Sequence, residues 1–206
     1  EHDLDTLLRL RPTHISAYHL IYEEGTPLYR LRERGAVREL PEEESLRQSH
    51  RVRERLRDAG YEQYEISAFD IPGYRSRHNS SYWHGIPYLG LGPGAHSYID
   101  PWRSSNPPRL RSYLRSLLRE RPFLLRRFER LTPEMEYEEY LLTRLRTREG
   151  LSVCEMKERF GSAVTDGVLR CAHPYLYEGR LTREGDRLHL TERGIDLADR
   201  ILLDLV

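Results

Sequence analysis

The sequence has few cysteines, and this limits the kinds of site that it can form. Only Cys154 and Cys171 occur among its 206 residues. Neither their number nor their spacing matches a disulfide framework or a structural metal site. We expect both to be reduced and to pack as small apolar residues.

Long apolar runs and an excess of charge are also absent. No hydrophobic stretch approaches the roughly 20 residues that a membrane-spanning helix needs, and no signal peptide opens the chain. The 33 basic and 33 acidic residues cancel, which argues against a nucleic-acid protein held by bulk charge. We therefore expect a soluble, cytoplasmic protein. The chain starts at Glu1 within a helical pattern, so we expect it to be part of a longer protein.

Helical and strand patterns alternate over residues 1–100, the first predicted domain. Strands separated by helices predict βα units and a parallel sheet. Three strands are too few for a closed barrel, so we expect the last portion of an α/β barrel. The predicted strands are His14–Ile21, Tyr61–Ser67 and Tyr88–Leu91, and residues 70–87 are predicted to be a loop.

A connector and a second domain follow. The connector, residues 101–128, contains one predicted helix, Leu110–Glu120. Residues 129–206 are expected to fold as three helices, a hairpin and a last helix, which is the winged-helix order. Thr132 and Pro133 are suited to start the first of these helices, and Glu184-Gly185-Asp186 is suited to turn the hairpin. The fold class is thus α/β, a partial barrel followed by a small winged-helix-like α+β domain.

A polar segment at residues 77–83 gathers residues that could bind a ligand. A lone histidine is more often structural, but the neutral imidazole of His78 could be an axial ligand for heme iron. Tyr82 and Trp83 offer flat apolar rings that could stack on a macrocycle. Arg75 and Arg77 could pair with carboxylates, or could be ordinary surface arginines.

A glycine-rich turn follows at residues 90–97. Gly92 and Gly94 would let the backbone approach a ligand closely, or would simply form a tight turn. His96 lies in the same segment, where it could contact a ligand or hydrogen-bond to a residue that does. Ile21 follows the first predicted strand, and ligands of parallel α/β folds lie at such strand ends; plain core packing is the alternative.

These motifs together resemble a known family. His78-Asn79-Ser80-Ser81-Tyr82-Trp83 matches the HNxxYW pattern of HemW-like heme chaperones, which belong to the oxygen-independent coproporphyrinogen III oxidase-like radical S-adenosylmethionine (SAM) family. The remaining motifs of that family also occur here in order, as His14–Tyr18, Glu24–Pro27, Tyr64–Ser67 and Gly90–Ser97, except that Glu24 departs from the usual proline spacing of the second. The CxxxCxxC loop that holds the family's cluster is absent from the chain.

The resemblance implies a (β/α)6 partial barrel with a [4Fe-4S] cluster and SAM, the cluster ligands lying upstream of this chain. It implies heme as the cargo, with His78 as the iron ligand, and a hemoprotein as acceptor, with peripheral contact with membrane hemoproteins left open. No nucleic acid is expected, because the basic and acidic residues balance. The chain alone is expected to be inactive as a radical SAM enzyme, because the cysteines that hold the cluster are missing from it. The residues expected to bind these groups are His78, Asn79, Tyr82 and Trp83 for heme, and Ile21, Gly92, Gly94 and His96 for SAM.

Two other functions stay open at this point. The first is an oxygen-independent coproporphyrinogen III oxidase, an enzyme of porphyrin biosynthesis. The second is a winged-helix interaction or regulatory module. DNA binding by such a module is disfavoured, because the candidate recognition helix, Ala163–Tyr177, contains Arg170 as its single Lys or Arg and also carries Asp166.

Overall fold

The computed structural model describes residues 1–118 and 126–206. The described chain divides into two units, Glu1–Ser76 and Arg77–Val206. This division differs from the predicted boundaries at residues 100 and 128, which stay a prediction. Both units mix helices with small sheets, in agreement with the α/β class.

The first unit contains three helices and one small sheet. Its elements are α1 (His2–Leu10), β1 (His14–Ser16), α2 (Pro27–Glu33), α3 (Glu42–Asp58), β2 (Glu62–Glu65) and β3 (Ala68–Asp70). The predicted strand at Tyr61–Ser67 is wrong at its end, because the chain turns at Ile66-Ser67 and returns as β3. The Gln63 side chain donates a hydrogen bond to the carbonyl of Ile66 at 2.8 Å, which holds this turn.

The expectation of parallel pairing in this sheet is also wrong. The strand order is β1-β3-β2, and β3 pairs antiparallel with both neighbours. A two-residue connection can join only antiparallel strands, which explains the β2–β3 pair. Since β1 and β2 are each antiparallel to β3, they run in the same direction, but β3 separates them.

A small apolar core holds the first unit together. Leu56 of α3 is fully buried and packs with Ile15 of β1, Tyr61 and Phe69 of β3. The Tyr61 hydroxyl donates to the carbonyl of Pro12 at 2.6 Å, so this ring is anchored at both ends. Burial of this kind contributes about 1.5–3 kcal/mol for each large side chain.

The second unit begins with a helix that the sequence did not predict. Residues 70–87 were expected to be a loop, but Arg77–Trp83 is a helix (α4). The predicted strand Tyr88–Leu91 is wrong too, because only Tyr88 pairs there, as an isolated bridge to Tyr98.

The predicted connector contains more structure than expected. An antiparallel sheet of order β4-β5-β6 begins before it and crosses it, and one helix, α5, lies inside it. Residues 119 and 120 of the predicted helix Leu110–Glu120 lie outside the described residues. The elements are β4 (His96–Ile99), β5 (Trp102–Ser105), α5 (Leu110–Leu117) and β6 (Arg127–Arg130).

The remainder follows the predicted winged-helix order. Its elements are α6 (Pro133–Leu145), β7 (Leu151–Ser152), α7 (Val153–Phe160), α8 (Ser162–Tyr177), β8 (Leu181–Glu184), β9 (Arg187–Leu190), α9 (Glu192–Ile195) and α10 (Ala198–Leu205). Thr132 caps α6 as expected, since its hydroxyl accepts from the amide of Met135 at 3.3 Å. The predicted final helix is split into α9 and α10.

This part of the chain contains the larger core. Leu141, Leu151, Leu188 and Ile201 have no exposed surface, and Leu145 is almost as deeply buried. These residues come from α6, β7, β9 and α10, so one core joins the helices to the antiparallel sheet of order β7-β9-β8. Among the described residues, no helix is both long and apolar enough to cross a bilayer.

Candidate functional site

The short helix α4 brings four of the predicted site residues together. His78, Asn79, Tyr82 and Trp83 all lie on its seven residues. His78 and Tyr82 are four residues apart and therefore share a helix face. Nε2 of His78 lies 3.0 Å from the Tyr82 hydroxyl, and the two rings meet edge to face with centroids 4.9 Å apart. The His78 side chain is exposed, so a ligand can reach it.

The Tyr82 ring belongs to a chain of packed tyrosines. Its centroid is 4.7 Å from that of Tyr88, with the rings nearly perpendicular. Tyr88 in turn packs on Tyr98 of β4, with centroids 6.3 Å apart. Burial raises the pKa of both Tyr88 and Tyr98 above the ordinary tyrosine value, so these hydroxyls stay protonated at neutral pH. Tyr82 is thus part of a packed wall and not a free platform for stacking.

Trp83 is engaged by two arginines of the same unit. The guanidinium of Arg146 lies 5.1 Å from the Trp83 ring centroid, a cation–π distance. Arg144 donates a hydrogen bond to the Trp83 carbonyl at 3.3 Å. The buried indole N–H has no hydrogen-bond partner within the described ranges. The Trp83 ring and carbonyl therefore join the end of α4 to α6, and the expected contact of this ring with a macrocycle stays a prediction.

A cavity of about 290 Å³ lies beside this end of α4. Its walls come from α4, β4, β5, α6 and α7, and Tyr82, Trp83 and Tyr140 are among the lining residues. Burial raises the pKa of Tyr140 to about 12. The cavity volume is near the lower limit of small-molecule pockets, roughly 300–1,000 Å³.

The predicted glycine turn is a firmly held loop. Gly92 and Gly94 have φ values of 105° and 71°, conformations that residues with a Cβ rarely adopt. The amide of Gly92 donates to the Tyr113 hydroxyl at 3.1 Å, and the amide of Gly90 donates to Ser97 Oγ at 3.0 Å. The loop is therefore held in one conformation by its own hydrogen bonds.

Asn106 is the central anchor of this loop, and no motif in the sequence indicates this role. Its side chain is buried in a residue only 6% exposed. Nδ2 donates to the carbonyls of Gly92 at 2.8 Å and Gly90 at 3.2 Å. Oδ1 accepts from Nε of Arg126 at 2.6 Å. Both N–H donors of this buried amide thus bind the loop, and its oxygen accepts from one cation.

The remaining predicted residues are placed differently. His96 is the first residue of β4, pairs with Ser105 and is exposed, so it follows the loop and does not lie within it. Ile21 is in the first unit and is 70% exposed, so the core-packing alternative is wrong. Arg75, also in the first unit, lies 5.0 Å from the Tyr64 ring centroid, whereas Arg77 is exposed at the start of α4.

Metal-binding groups are sparse in the structure. The described residues contain no group of three or more His, Cys, Asp and Glu side chains that could hold a metal ion. The cysteines Cys154 and Cys171 are both free, as expected, but both are exposed, so the prediction that they pack as apolar residues is wrong.

Comparison with known proteins shows which proteins the chain resembles. Residues 131–197 match the model of the HemN C-terminal domain. The chain is 35% identical over 206 residues to the heme chaperone HemW of Mycobacterium tuberculosis, and the match covers 98% of this chain and 50% of that protein. It is 32% identical to the heme chaperone HemW of Bacillus subtilis, with 98% and 53% covered. The chain is thus similar to HemW heme chaperones over nearly its whole length, and residues 131–197 match the C-terminal domain of the HemN family.

Further matches agree with this similarity. The chain is 41% identical over 98 residues to the mitochondrial radical S-adenosyl methionine domain-containing protein 1 of Bos taurus, covering 48% of the chain and 22% of that protein. The fold matches coproporphyrinogen III oxidase (HemN) from Escherichia coli, described as a radical SAM enzyme, with a TM-score of 0.73, 16% identity, and 98% and 50% of the two chains covered. This confirms the predicted resemblance and fold class. The chain spans about half the length of the HemW proteins that it matches.

Proposed function

We propose that this chain is part of a radical SAM heme chaperone, which binds heme and delivers it to hemoproteins. The observation that supports this most is the exposed imidazole of His78 on α4. It lies within a motif typical of heme chaperones, in a chain similar to such proteins over 98% of its length.

The residues on α4 fit heme as cargo, but fewer of them are placed to contact heme directly than the motif alone indicates. His78 supplies an accessible nitrogen ligand for iron, and the exposed guanidinium of Arg77 could pair with a propionate. Tyr82 and Trp83 support the helix that carries His78 and Arg77, since the Tyr82 ring packs on Tyr88 and the Trp83 ring packs on Arg146. Asn79 completes the motif as a proposed heme contact.

SAM and a [4Fe-4S] cluster are the other groups that the family implies. The cluster would supply electrons for radical chemistry, and its ligands would come from outside this chain. The loop around Gly92 and Gly94 fits a close approach by SAM, because no atom lies within 4 Å of the position that a Cβ of Gly92 would take and the loop conformation is fixed by Asn106 and Tyr113. Ile21 and His96 are proposed as further SAM contacts on the basis of the family pattern.

The proposed partners follow from the same role. The acceptor would be a cytoplasmic hemoprotein, or a membrane hemoprotein reached by peripheral contact. No nucleic acid is expected, because the basic and acidic residues balance. The protein itself is proposed to be cytoplasmic.

Heme binding and transfer test this proposal in the complete protein, including any sequence that flanks this chain. Hemin is titrated and the Soret band followed, and the loaded protein is then mixed with an apo-hemoprotein. We expect stoichiometric hemin binding and transfer to the acceptor. Absence of hemin binding, together with decarboxylation of coproporphyrinogen III in the presence of SAM, would instead identify an oxidase.

A further inference from the structure

We propose that the Tyr82 hydroxyl is a latch on the imidazole of His78, and that this latch must open before His78 can coordinate heme iron. The inference rests on the proposed function, since it takes heme as the ligand of His78. It assigns to Tyr82 a positioning role in the apo protein in place of contact with the macrocycle.

The latch is visible in the geometry of α4. The Tyr82 oxygen lies 3.0 Å from Nε2 of His78, within hydrogen-bond distance. The four-residue spacing on one helix lets both side chains meet without any distortion of the backbone. The bond therefore occupies one of the two ring nitrogens of an otherwise exposed histidine.

The occupied nitrogen is the one that iron needs. Nε2 is the outer ring nitrogen, whereas Nδ1 is flanked by the Cβ atom and the helix, which hinders the approach of a flat macrocycle. When the tyrosine O–H donates to Nε2, the imidazole is the neutral tautomer with its proton on Nδ1. The same lone pair on Nε2 then serves either the hydroxyl or the iron. Coordination would replace the O–H···N bond by a bond from Nε2 to iron. The tyrosine O–H would then donate to water, and no proton would leave the imidazole ring.

The packing around Tyr82 determines which partner moves. Its ring is held edge-on by Tyr88 at 4.7 Å between centroids, and it forms part of the cavity wall. The His78 side chain is exposed, and exposed side chains change rotamer on the picosecond to nanosecond timescale. The latch therefore opens by rotation of His78 away from a fixed hydroxyl.

The test is the substitution Tyr82→Phe in the complete protein, with hemin affinity measured by Soret titration. Removal of one neutral hydrogen bond from the apo state is expected to tighten hemin binding about two- to tenfold. The Soret maximum should match that of the parent, because the iron ligand is the same. Tyr88→Phe is the matched control, since it removes a hydroxyl from the neighbouring ring that packs on Tyr82, and it should leave the affinity unchanged. Circular dichroism verifies that each variant is folded.

His78→Ala separates failure of the latch from failure of the proposed function. If His78→Ala weakens hemin binding while Tyr82→Phe binds as the parent does, or more weakly, the latch is wrong and the iron ligand stands. If His78→Ala binds hemin like the parent, both ideas are wrong. Equal tightening by Tyr82→Phe and Tyr88→Phe would mean a general loosening of the tyrosine packing, and this too would overturn the latch.

Discussion

Replacement of Asn106 by alanine should loosen the glycine loop, and the cost can be worked out from its contacts. The substitution removes two hydrogen bonds to the carbonyls of Gly90 and Gly92 and one from the guanidinium of Arg126. The two carbonyls belong to half-buried residues, so each lost bond costs about 0.5–1.5 kcal/mol, and the charge-assisted bond about 1.5–3 kcal/mol. We expect a total destabilisation of roughly 2–4 kcal/mol once water replaces part of these bonds.

Urea denaturation followed by tryptophan fluorescence measures this effect. Both tryptophans of the chain, Trp83 and Trp102, lie in the second unit with Asn106, so their signal reports on that unit. Asn106→Asp keeps an acceptor for Arg126 but cannot donate to the two carbonyls, and should also be destabilised. Lys157→Ala, which removes an exposed side chain on α7 of the same unit, should change stability by less than about 0.5 kcal/mol. An Asn106→Ala variant as stable as the parent would refute the role of this side chain as an anchor.

Three further predictions concern the second unit. Leu141→Ala should lower the free energy of unfolding by about 2–5 kcal/mol in thermal melts, because Leu141 has no exposed surface. Leu203→Ala, at a residue 76% exposed, should lower it by less than about 0.5 kcal/mol in the same assay. Gly90→Ala should lower the melting temperature, since its Cβ would collide with the backbone of His96, and an unchanged melting temperature would contradict this. The pKa of Asp186 is lowered first by the hydrogen bond from Ser152 and then by the Cys154 amide. The stability that this carboxylate contributes is therefore present above the unfolded pKa near 4 and is lost as the pH falls through its lower folded pKa. The free energy of unfolding of Asp186→Asn should therefore decrease less steeply with falling pH than that of the parent. An unaltered pH dependence in this variant would exclude the carboxylate as its cause.

The parts of the fold with local signals could be predicted from the sequence. Thr132 and Pro133 mark the start of α6, Gly161 follows α7, and Gly185 turns the β8–β9 hairpin. Each of these signals acts through the nearest few residues, by capping, by a fixed φ or by a positive φ. The C-terminal order of helices and hairpin was therefore correct.

The errors lie where distant contacts determine the structure. Helix α4 contains Asn79, Ser80 and Ser81, residues with weak helix propensity, and it is stabilised by Trp83 packing against Arg146. The turn at Ile66-Ser67 has no glycine or proline to announce it, so β3 was missed and the sheet was expected to be parallel.

The candidate site shows the same difference between local sequence signals and distant contacts. His78 was found because an unusual motif surrounds it, but its contact with Tyr82 becomes visible only once the segment is known to be helical. Asn106 reaches the glycine loop across 14 residues of sequence from Gly92, and nothing nearby in the chain indicates this. The stacking role expected for Trp83 does not take account of the arginine that lies over the ring.

The most direct test of the account is hemin binding by His78→Ala in the complete protein. His84→Ala provides a close control, since His84 is also exposed and lies just after α4, with its ring nitrogen 2.7 Å from the carbonyl of Ser80. We predict that His78→Ala loses or shifts the Soret band while His84→Ala binds like the parent, and that circular dichroism is the same for all three proteins. An unaltered Soret band and affinity in His78→Ala would contradict the assignment of α4 as the heme-binding element.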